Sequence, residues 1–320
     1  REAVKVVQRA RQNLMVTMDA GDHFPSRRIR IDSLATHGNE DDADSGSAMM
    51  ITDYESQHSD EGRNVVIAGG GGHVRVWGQW EMNGRTEGRM LGVTSALLTQ
   101  SSLKAAVIVR GSSSWLFQRC EIRAQVGNAL MLYQDAVGVI EGCGVGGCGR
   151  KEKKATNGIS VFGRASALIL NTKAELVERG GVRFYENSTA VAIGLDIRYC
   201  GSYGMLVDHA ANATVWGCRF ARCRKGAFAS SMKPTGCVLR AGNITMHGNV
   251  SQWWGPQRPT AEAPIASTDL LTAVTTTLQL KLSPTERQVV LQRLEAGGLS
   301  ARMHASGVLP ALTAHPCAAA

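Results

Sequence analysis

The residues of this sequence best suited to chemistry are its cysteines, several of which recur at a fixed spacing. Cys143 and Cys148 are five residues apart, and so are Cys218 and Cys223, a spacing that a metal site could use. If these segments stack as parallel strands about 4.8 Å apart, three layers separate the pairs by about 14 Å, too far to share one ion. Buried thiols are therefore favoured, and no metal or other cofactor is predicted. Cys200 and Cys223 fall on adjacent layers and are the candidate disulfide.

Catalysis by a general acid and a general base would need carboxylates that converge, and the charged residues here are arranged differently. In consecutive repeats one outward position holds Lys173, Asp196 and Arg219, and the position two residues later holds Glu175 and Arg198. These alternating signs predict a ladder of cross-strand ion pairs, which stabilise a sheet only weakly. The sequence therefore favours a protein without catalytic activity, and no catalytic residue is assigned.

Apolar residues occupy further positions of the repeat that are expected to point outward. The members of this apolar flank are Leu116, Val139, Leu168, Leu170, Val191, Ile193, Trp216 and Val238. A contiguous apolar patch is usually covered, so the flank is predicted to bind either a partner protein or the chain's own C-terminal helix. Alternatively, Trp216, Trp253 and Trp254 are candidates for stacking on the sugar rings of a glycan.

These columns come from an internal repeat, which is the main structural signal in the sequence. Six segments align, and the seventh residue of each serves as an anchor for the alignment. The anchors are Cys120, Cys143, Thr172, Leu195, Cys218 and Gly242. Four of the five intervals between successive anchors are nearly equal, and the interval from Cys143 to Thr172 is longer. It contains the charged segment RKEKK at 150–154, which predicts a loop extruded from one coil.

Residues around the anchors predict short strands that stack from coil to coil. The side chains three residues before and two residues after each anchor are apolar in every segment, as expected for interior columns. A second strand in each coil is predicted upstream, in segments such as 106–109, 129–132 and 159–162. The chain is thus predicted to be mainly β: a right-handed parallel β-helix, a single-stranded solenoid of six or more coils.

Two short strands, an anchor and a following Ile or Val, as at Ile122, Val145 and Ile197, resemble the β-helix repeats of the pectin-lyase-like superfamily. The resemblance covers residues 100–250 well and residues 1–100 loosely. It implies, as an alternative function, carbohydrate binding or polysaccharide processing by a lyase or a glycoside hydrolase. The clustered carboxylates of the superfamily's enzymes, which hold Ca²⁺ in the lyases, are not matched, so the chain resembles a degenerate member without catalytic acids.

Both ends of the solenoid need covers, because an open coil exposes its apolar interior and its strand edges. The segment EAVKVVQRA at 2–10 predicts an amphipathic capping helix, and a strand is expected at 13–19. Near the other end, Ser283-Pro284-Thr285-Glu286 is a capping box with Pro at the first helical position. It predicts a helix that ends near Ala296 and either caps the solenoid or lies along it.

Two domains are predicted. Residues 1–260 form the capped β-helix with an acidic loop at 36–62, and residues 261–320 form a C-terminal helical cap or tail. Eight of the 27 acidic residues lie between Glu40 and Glu61, where there is no Lys or Arg, so the other 19 are set against 35 basic residues, a net charge of +16. This basic remainder fits a protein surface or an acidic polysaccharide, whereas nucleic acid is supported by charge alone and is disfavoured.

The composition is that of a globular protein, with 43% hydrophobic and 19% charged residues, and no apolar run is long enough to cross a bilayer. Because the chain begins with Arg1 rather than Met, an organellar or secreted location after removal of an N-terminal segment stays open. Two functions are retained: a scaffold or interaction subunit of a larger assembly that docks through the apolar flank, the helical tail or both, and a carbohydrate-binding or carbohydrate-processing protein. An open groove with converging acids and aromatic rings would favour the second, and a flank filled by protein the first.

Overall fold

The structure, a computed structural model, is mainly β and winds three sheets into a parallel solenoid of about seven turns, as the repeat predicted. It describes residues 5–10, 13–18, 21–23, 28–32, 48–51, 63–69, 74–97, 105–147, 157–230, 237–249, 253–254, 272–273 and 275–276. Within this part of the chain, helical backbone occurs at 272–273 and 275–276.

The three sheets, called A, B and C, each run along the axis of the solenoid. Sheet A contains, in spatial order, β1 (Lys5–Ala10), β2 (Asn13–Met18), β6 (Arg63–Gly69), β9 (Thr86–Leu91), β12 (Ser114–Gln118), β15 (Val137–Glu141), β18 (Ser166–Leu170), β21 (Thr189–Ile193), β24 (Asn212–Trp216) and β27 (Val238–Gly242). Sheet B contains β3 (Gly21–His23), β7 (Val74–Val76), β10 (Val93–Leu97), β13 (Glu121–Ala124), β16 (Gly144–Gly147), β19 (Lys173–Glu175), β22 (Asp196–Arg198), β25 (Arg219–Ala221) and β28 (Thr245–His247). Sheet C contains β5 (Ala48–Ile51), β4 (Arg28–Asp32), β8 (Gln79–Asn83), β11 (Ala105–Val109), β14 (Asn128–Leu132), β17 (Asn157–Val161), β20 (Gly180–Phe184), β23 (Tyr203–Val207), β26 (Gly226–Ala229) and β29 (Trp253–Trp254). In each complete coil the chain passes through sheet C, then sheet A, then sheet B.

Sharp corners between the sheets are made by residues with positive φ. The corner from sheet A to sheet B is a left-handed residue in coil after coil, with φ of 54° at Arg119, 58° at Gly142, 44° at Asn171 and 49° at Asn243. One such residue turns the chain without a longer loop, and Gly or Asn adopts this conformation at low energy. The corner divides the predicted strand at 114–122 into β12 and β13, so each coil has three strands where the sequence indicated two.

The interior of the solenoid is filled by the predicted apolar columns. Phe117, Ile140, Ile169, Ala192 and Val215 stack in register on five consecutive coils, and all are fully buried. Burial of a large apolar side chain of this kind stabilises the fold by about 1.5–3 kcal/mol. Because each coil places its side chain on the equivalent one of the next coil, the columns also fix the register of the sheets.

The register of the last aligned segment differs from the prediction. Trp216 pairs with Gly242, and Arg219 pairs with Thr245, so Ile244 rather than Gly242 lies level with the anchor Cys218. The predicted equivalence of Gly242 with Cys218 was therefore wrong, and this coil is longer than the alignment indicated. The physical reason is that the additional residues fall in the connection between β26 and β27, whose length no stacking contact constrains.

The predicted capping helix at 2–10 was also wrong for residues 5–10, the part of it that the structure describes. Lys5–Ala10 form β1, a strand that pairs antiparallel with β2, instead of part of a capping helix. The edge strand of a sheet presents unpaired backbone groups, and an added antiparallel strand satisfies them directly, which a helix cannot do. The strand predicted at 13–19 is confirmed as β2.

The other terminal and loop predictions fall mostly on residues that the structure does not describe. Within the predicted acidic loop at 36–62, residues Ala48–Ile51 form β5 and pair with β4 rather than remaining a loop. The loop at 150–154, the helix from Ser283 to Ala296 and the domain boundary between residues 260 and 261 lie outside the described residues.

Candidate functional site

The apolar flank lies on the outer face of sheet A. Its first column runs from Leu116 through Val139 and Leu168 to Val191, and each residue pairs with the next one in register. Its second column runs from Leu170 through Ile193 to Trp216. The structure thus brings seven of the eight predicted members together on adjacent coils, because alternate residues of a strand point to the same face.

Val238 does not belong to these columns. The residue level with Thr214 on the next coil is Arg240, whereas Val238 pairs with Asn212 at the start of the strand and is 40% exposed. The register difference of this coil explains the wrong assignment. The column therefore ends in the exposed Arg240 rather than in an apolar residue.

The central members of the apolar flank are buried although they point away from the interior. Their exposed fractions are 1% for Leu168, 1% for Val191, 3% for Ile193, 4% for Leu170 and 9% for Trp216. None of them belongs to the hydrophobic cluster that fills the solenoid. The Nε1 of Trp216 is also buried and has no hydrogen-bond partner, which costs about 1–3 kcal/mol. The middle of the flank is therefore not a free surface.

A polar pair ends the second column on the preceding coils. Glu141 is level with Leu170, and Gln118 is level with Glu141. The Nε2 of Gln118 donates a hydrogen bond of 2.8 Å to Oε2 of Glu141. Burial raises the pKa of Glu141, and the hydrogen bond from Gln118 opposes part of that rise. The covered region of sheet A therefore includes a carboxyl group that is poorly solvated.

The outer face of sheet C carries an aromatic row that the sequence prediction missed. Tyr133, Phe162 and Tyr185 stack with centroid distances of 5.1 and 4.9 Å, and His209 continues the row at 6.4 Å. The guanidinium of Arg183 lies 4.2 Å above the ring of Tyr185. The signal in the sequence was the spacing of Tyr133, Phe162 and Tyr185, which follows the repeat, whereas His209 lies one residue beyond the position level with Tyr185. Because Phe162 is stacked between Tyr133 and Tyr185, mainly the edge of its ring faces outward.

Polar side chains lie beside this row. The Nδ2 of Asn157 donates to Oδ1 of Asn128 at 2.9 Å, and the hydroxyl of Ser160 donates to the same oxygen at 3.1 Å. The Nε of Arg183, one coil further, is buried without a hydrogen-bond partner. Asn157 and Ser160 are buried, with exposed fractions of 3% and 2%, whereas Asn128 and Arg183 are partly exposed.

The outer face of sheet B is charged. Lys173 is level with Asp196, and Glu175 is level with Arg198, as predicted. However, Lys173 pairs with Glu175 at 2.6 Å and Arg198 pairs with Asp196, so these ion pairs form along a strand rather than across strands. The predicted cross-strand ladder was therefore wrong in its partners, because residues two apart on one strand point to the same face and lie within reach of long side chains.

One ion pair on sheet B does cross coils. Arg123 reaches Glu175 at 3.3 Å over an intervening coil, where its counterpart in register is Gly146. Burial tends to raise the pKa of Glu175, but the hydrogen bonds and charges of Lys173 and Arg123 lower it below its ordinary value. The absence of a side chain at Gly146 is what opens this path.

Comparison with known proteins concerns the coils that carry these three faces. A family model described as a right handed beta helix region matches residues 105–252. This part of the chain is a right-handed β-helix. The finding agrees with the resemblance to the pectin-lyase-like superfamily. A search of curated proteins and a search of solved structures each gave no match.

Among the described residues of the β-helix, no three His, Cys, Asp or Glu side chains are grouped so that they could hold a metal ion. No helix of the described part of the chain is long and apolar enough to span a membrane.

Five of the described cysteines are buried: Cys120, Cys143, Cys200, Cys218 and Cys223. The backbone N–H of Cys120 donates to Sγ of Cys143 on the next coil at 3.4 Å, and Cys148 lies outside the described residues. Cys200 and Cys223 are buried free thiols on adjacent coils. The hydrogen bond between these two thiols, together with burial, raises the pKa of Cys200. The disulfide between Cys200 and Cys223 stays a prediction.

The three tryptophans predicted to stack on sugars are in different settings. Trp216 is almost fully buried in the apolar flank, so its ring has no open face for a sugar. Trp253 and Trp254 form β29, which pairs with β26 at Phe228 and Ala229. Their side chains lie outside the described residues.

Proposed function

We propose that this protein is a non-catalytic β-helix scaffold, an interaction subunit of a larger protein assembly. The observation that carries the proposal is the apolar flank on sheet A. The interior of the solenoid is already filled by its own columns, so the flank contributes nothing to that core. An outer apolar face of several coils is suited to packing against protein.

The end of the flank that faces the earlier coils is the part available to a partner. Val139 and Val137 on β15 and Leu91 on β9 are only half-buried, unlike Leu168 and Val191, although Leu116 on the intervening β12 is buried. We therefore place the docking surface at this open end, together with the helical tail predicted beyond residue 260. A partner bound there would bury the apolar side chains that the chain itself leaves half-exposed.

The charged outer face of sheet B supports the proposal that the protein is not an enzyme. Glu121, Glu175 and Asp196 on sheet B each form an ion pair with a neighbouring Arg or Lys. Of the three, Glu175 has a pKa that the hydrogen bonds and charges of Lys173 and Arg123 lower, which makes it a poor general base. Hydrolysis of a glycosidic bond would need two carboxyl groups that flank the bond with different affinities for a proton.

The test is the native mass of the protein isolated gently from its source. We expect an assembly of fixed stoichiometry with another chain. The variant Val139→Glu should weaken this assembly at least tenfold, because it places a charge at the open end of the flank. The matched control is Ser114→Glu, at an exposed position on the preceding coil of the same sheet, which should leave the assembly unchanged. A monomer, or equal effects of the two variants, would contradict the proposal.

Carbohydrate binding is the second candidate, and the outer face of sheet C favours it. Arg183 and Asn128 are partly exposed and place hydrogen-bonding groups beside a row of aromatic rings, and the chain has an excess of positive charge. These groups suit an acidic polysaccharide. The test is a binding screen against acidic polysaccharides with and without Ca²⁺. Binding that Arg183→Ala weakens would support this function, and no binding at low ionic strength would exclude it.

A further inference from the structure

We infer that the corner between sheets B and C on the later coils is a second docking surface, which binds an acidic segment of a partner protein. This surface, called the corner ridge, consists of six exposed residues: Leu176, Arg179, Tyr199, Arg222, Arg224 and Lys225. The inference goes beyond the proposed docking at the apolar flank and does not depend on it, because the flank lies on sheet A and the ridge on another side of the solenoid.

Three members of the corner ridge lie at the same level on consecutive coils. Leu176, Tyr199 and Arg222 directly follow β19, β22 and β25, and these strands of sheet B pair in register. The Cζ of Arg222 lies 5.3 Å from the centroid of the Tyr199 ring, and its Nη1 donates a hydrogen bond of 2.9 Å to the hydroxyl of Tyr199. The two side chains therefore form one unit on the surface, with the guanidinium over a face of the ring.

The fold does not need large side chains at these three positions. Leu176, Tyr199 and Arg222 have φ of 57°, 54° and 55°, a left-handed conformation that glycine adopts at the lowest energy. On the next coil Gly248 makes the same corner, with φ of 62°. Leu176 and Tyr199 are nevertheless 41% and 45% exposed. Large apolar groups kept at strained, exposed positions indicate a contact outside the chain.

The corner ridge is strongly basic. Its three corner segments, 176–179, 199–202 and 222–225, contain four basic residues and one acidic residue, Glu178. Residues 209–261 contain seven Lys or Arg and no Asp or Glu. Within the described part of the chain, neither Arg222 nor Arg224 forms an ion pair. The ridge therefore offers guanidinium groups for which the surrounding coils supply few carboxylates.

The mixture of groups on the corner ridge selects the kind of partner. A nucleic acid or a sulfated polymer would use the cations but would leave Leu176 without an apolar contact. A sugar ring stacks on the face of an aromatic ring, and the guanidinium of Arg222 already lies over a face of Tyr199. Tyr and Arg contribute most at protein interfaces, and Arg binds a carboxylate through two parallel hydrogen bonds. The occupant is therefore a protein segment in which carboxylates stand next to an aromatic or aliphatic side chain.

The dimensions of the corner ridge fit a short segment of the partner. From Leu176 to Arg222 there are two steps of about 4.8 Å, or about 10 Å in all, which an extended chain covers with about three residues. A contact of this size that relies on exposed charges is weak and is screened by salt. The ridge is therefore suited to adding affinity and specificity to a larger interface, and its binding is best measured at low ionic strength.

The test measures how the full chain binds a fluorescent random copolymer of glutamate and tyrosine, by anisotropy at low ionic strength. We expect binding that Arg222→Gly weakens about tenfold. The matched control is Arg119→Gly, which removes the same side chain from an exposed left-handed position at another corner, with φ of 54°, and should leave binding unchanged. Tyr199→Gly should weaken binding of the copolymer about fivefold but leave binding of polyglutamate unchanged.

The glycine variants also control for folding, because glycine relieves the left-handed strain: Tyr199→Gly and Arg222→Gly should keep or raise the melting temperature. A lower melting temperature would show that these side chains serve the fold, which would refute the inference. Val139→Glu at the apolar flank should bind the copolymer normally, so failure of the ridge is distinguishable from failure of the flank. No binding of the copolymer, equal losses in Arg222→Gly and Arg119→Gly, or tighter binding of heparin or a DNA duplex than of the copolymer would each overturn the inference.

Discussion

The substitution Gly146→Ala tests how closely adjacent coils approach on sheet B. Gly146 has a φ of 147°, and a Cβ added there would lie well inside 3.0 Å of the carbonyl oxygen of Glu175, a separation that real Cβ atoms do not reach. The backbone would have to move to relieve this contact, and β16 pairs with β19 over only three residues. Loss of two or three ladder hydrogen bonds at about 1 kcal/mol each, with strain of about 1–2 kcal/mol, gives an expected destabilisation of about 3–5 kcal/mol.

The matched control is Gly142→Ala in the same coil. Gly142 has a φ of 58°, and the nearest atom to an added Cβ is Cγ of Arg119 at 4.0 Å. Its expected cost is only the strain of a left-handed alanine, about 1–2 kcal/mol. Urea unfolding followed by far-ultraviolet circular dichroism measures both variants. If the two lose the same free energy of unfolding, the close approach at Gly146 does not exist and the reasoning is refuted.

Three further predictions concern ionisable groups. The pKa of Glu141 is raised in the folded chain, so its ionised form destabilises the fold and stability falls as the pH rises through that pKa. Glu141→Gln should therefore raise the melting temperature at pH 7 and flatten its dependence on pH; a lower melting temperature would contradict this. The pKa of Glu175 is lowered, so the stability that it contributes is present above its unfolded pKa and is lost in acid. Arg123→Ala should lower the free energy of unfolding by about 0.5–1 kcal/mol at pH 7. Urea unfolding should show a smaller loss at low pH, and a loss of the same size there would contradict the prediction. Burial raises the pKa of Cys218 to about 12, so mass spectrometry should find this thiol unmodified by iodoacetamide at pH 7 until urea is added, and rapid labelling of the folded chain would show that the site is open.

The interior columns could be predicted from the sequence because stacking is a short-range rule. An apolar residue at Phe117, Ile140 and Ile169 recurs at the interval of the coils, and the structure places all three in one buried column. The outer columns followed from the same register, which is why Leu168, Val191 and Leu170 were assigned correctly to the outer face of sheet A. Once the period is known, a strand's alternation decides which side chains point outward.

The corners and the ends could not be predicted in this way. Arg119 adopts a positive φ at a position where other coils use Gly142 or Asn171, so no residue type marks this corner consistently. The register at Val238 depends on the length of a connection, which stacking does not constrain. At the N-terminus the segment at 2–10 has a helical pattern of apolar residues, but the unpaired edge of β2 favours the strand Lys5–Ala10. At Val238 and at the N-terminus, a contact distant in sequence, or the absence of one, outweighed the local pattern.

The free energy of unfolding of charge substitutions can show whether the outer face of sheet A is buried or exposed to solvent. The interior columns alone satisfy the packing of each coil, so a charge placed on an uncovered outer face should change stability by no more than about 0.5 kcal/mol. Arg219→Asp on sheet B provides that baseline at an exposed residue. At the covered Val191 the same aspartate would lose apolar burial and would have to be hydrated, so we expect Val191→Asp to cost about 2–4 kcal/mol. Urea unfolding of the two variants decides the matter: a cost at Val191 no larger than that at Arg219 would mean that the outer face of sheet A is open in solution and that its apolar columns are available to a partner.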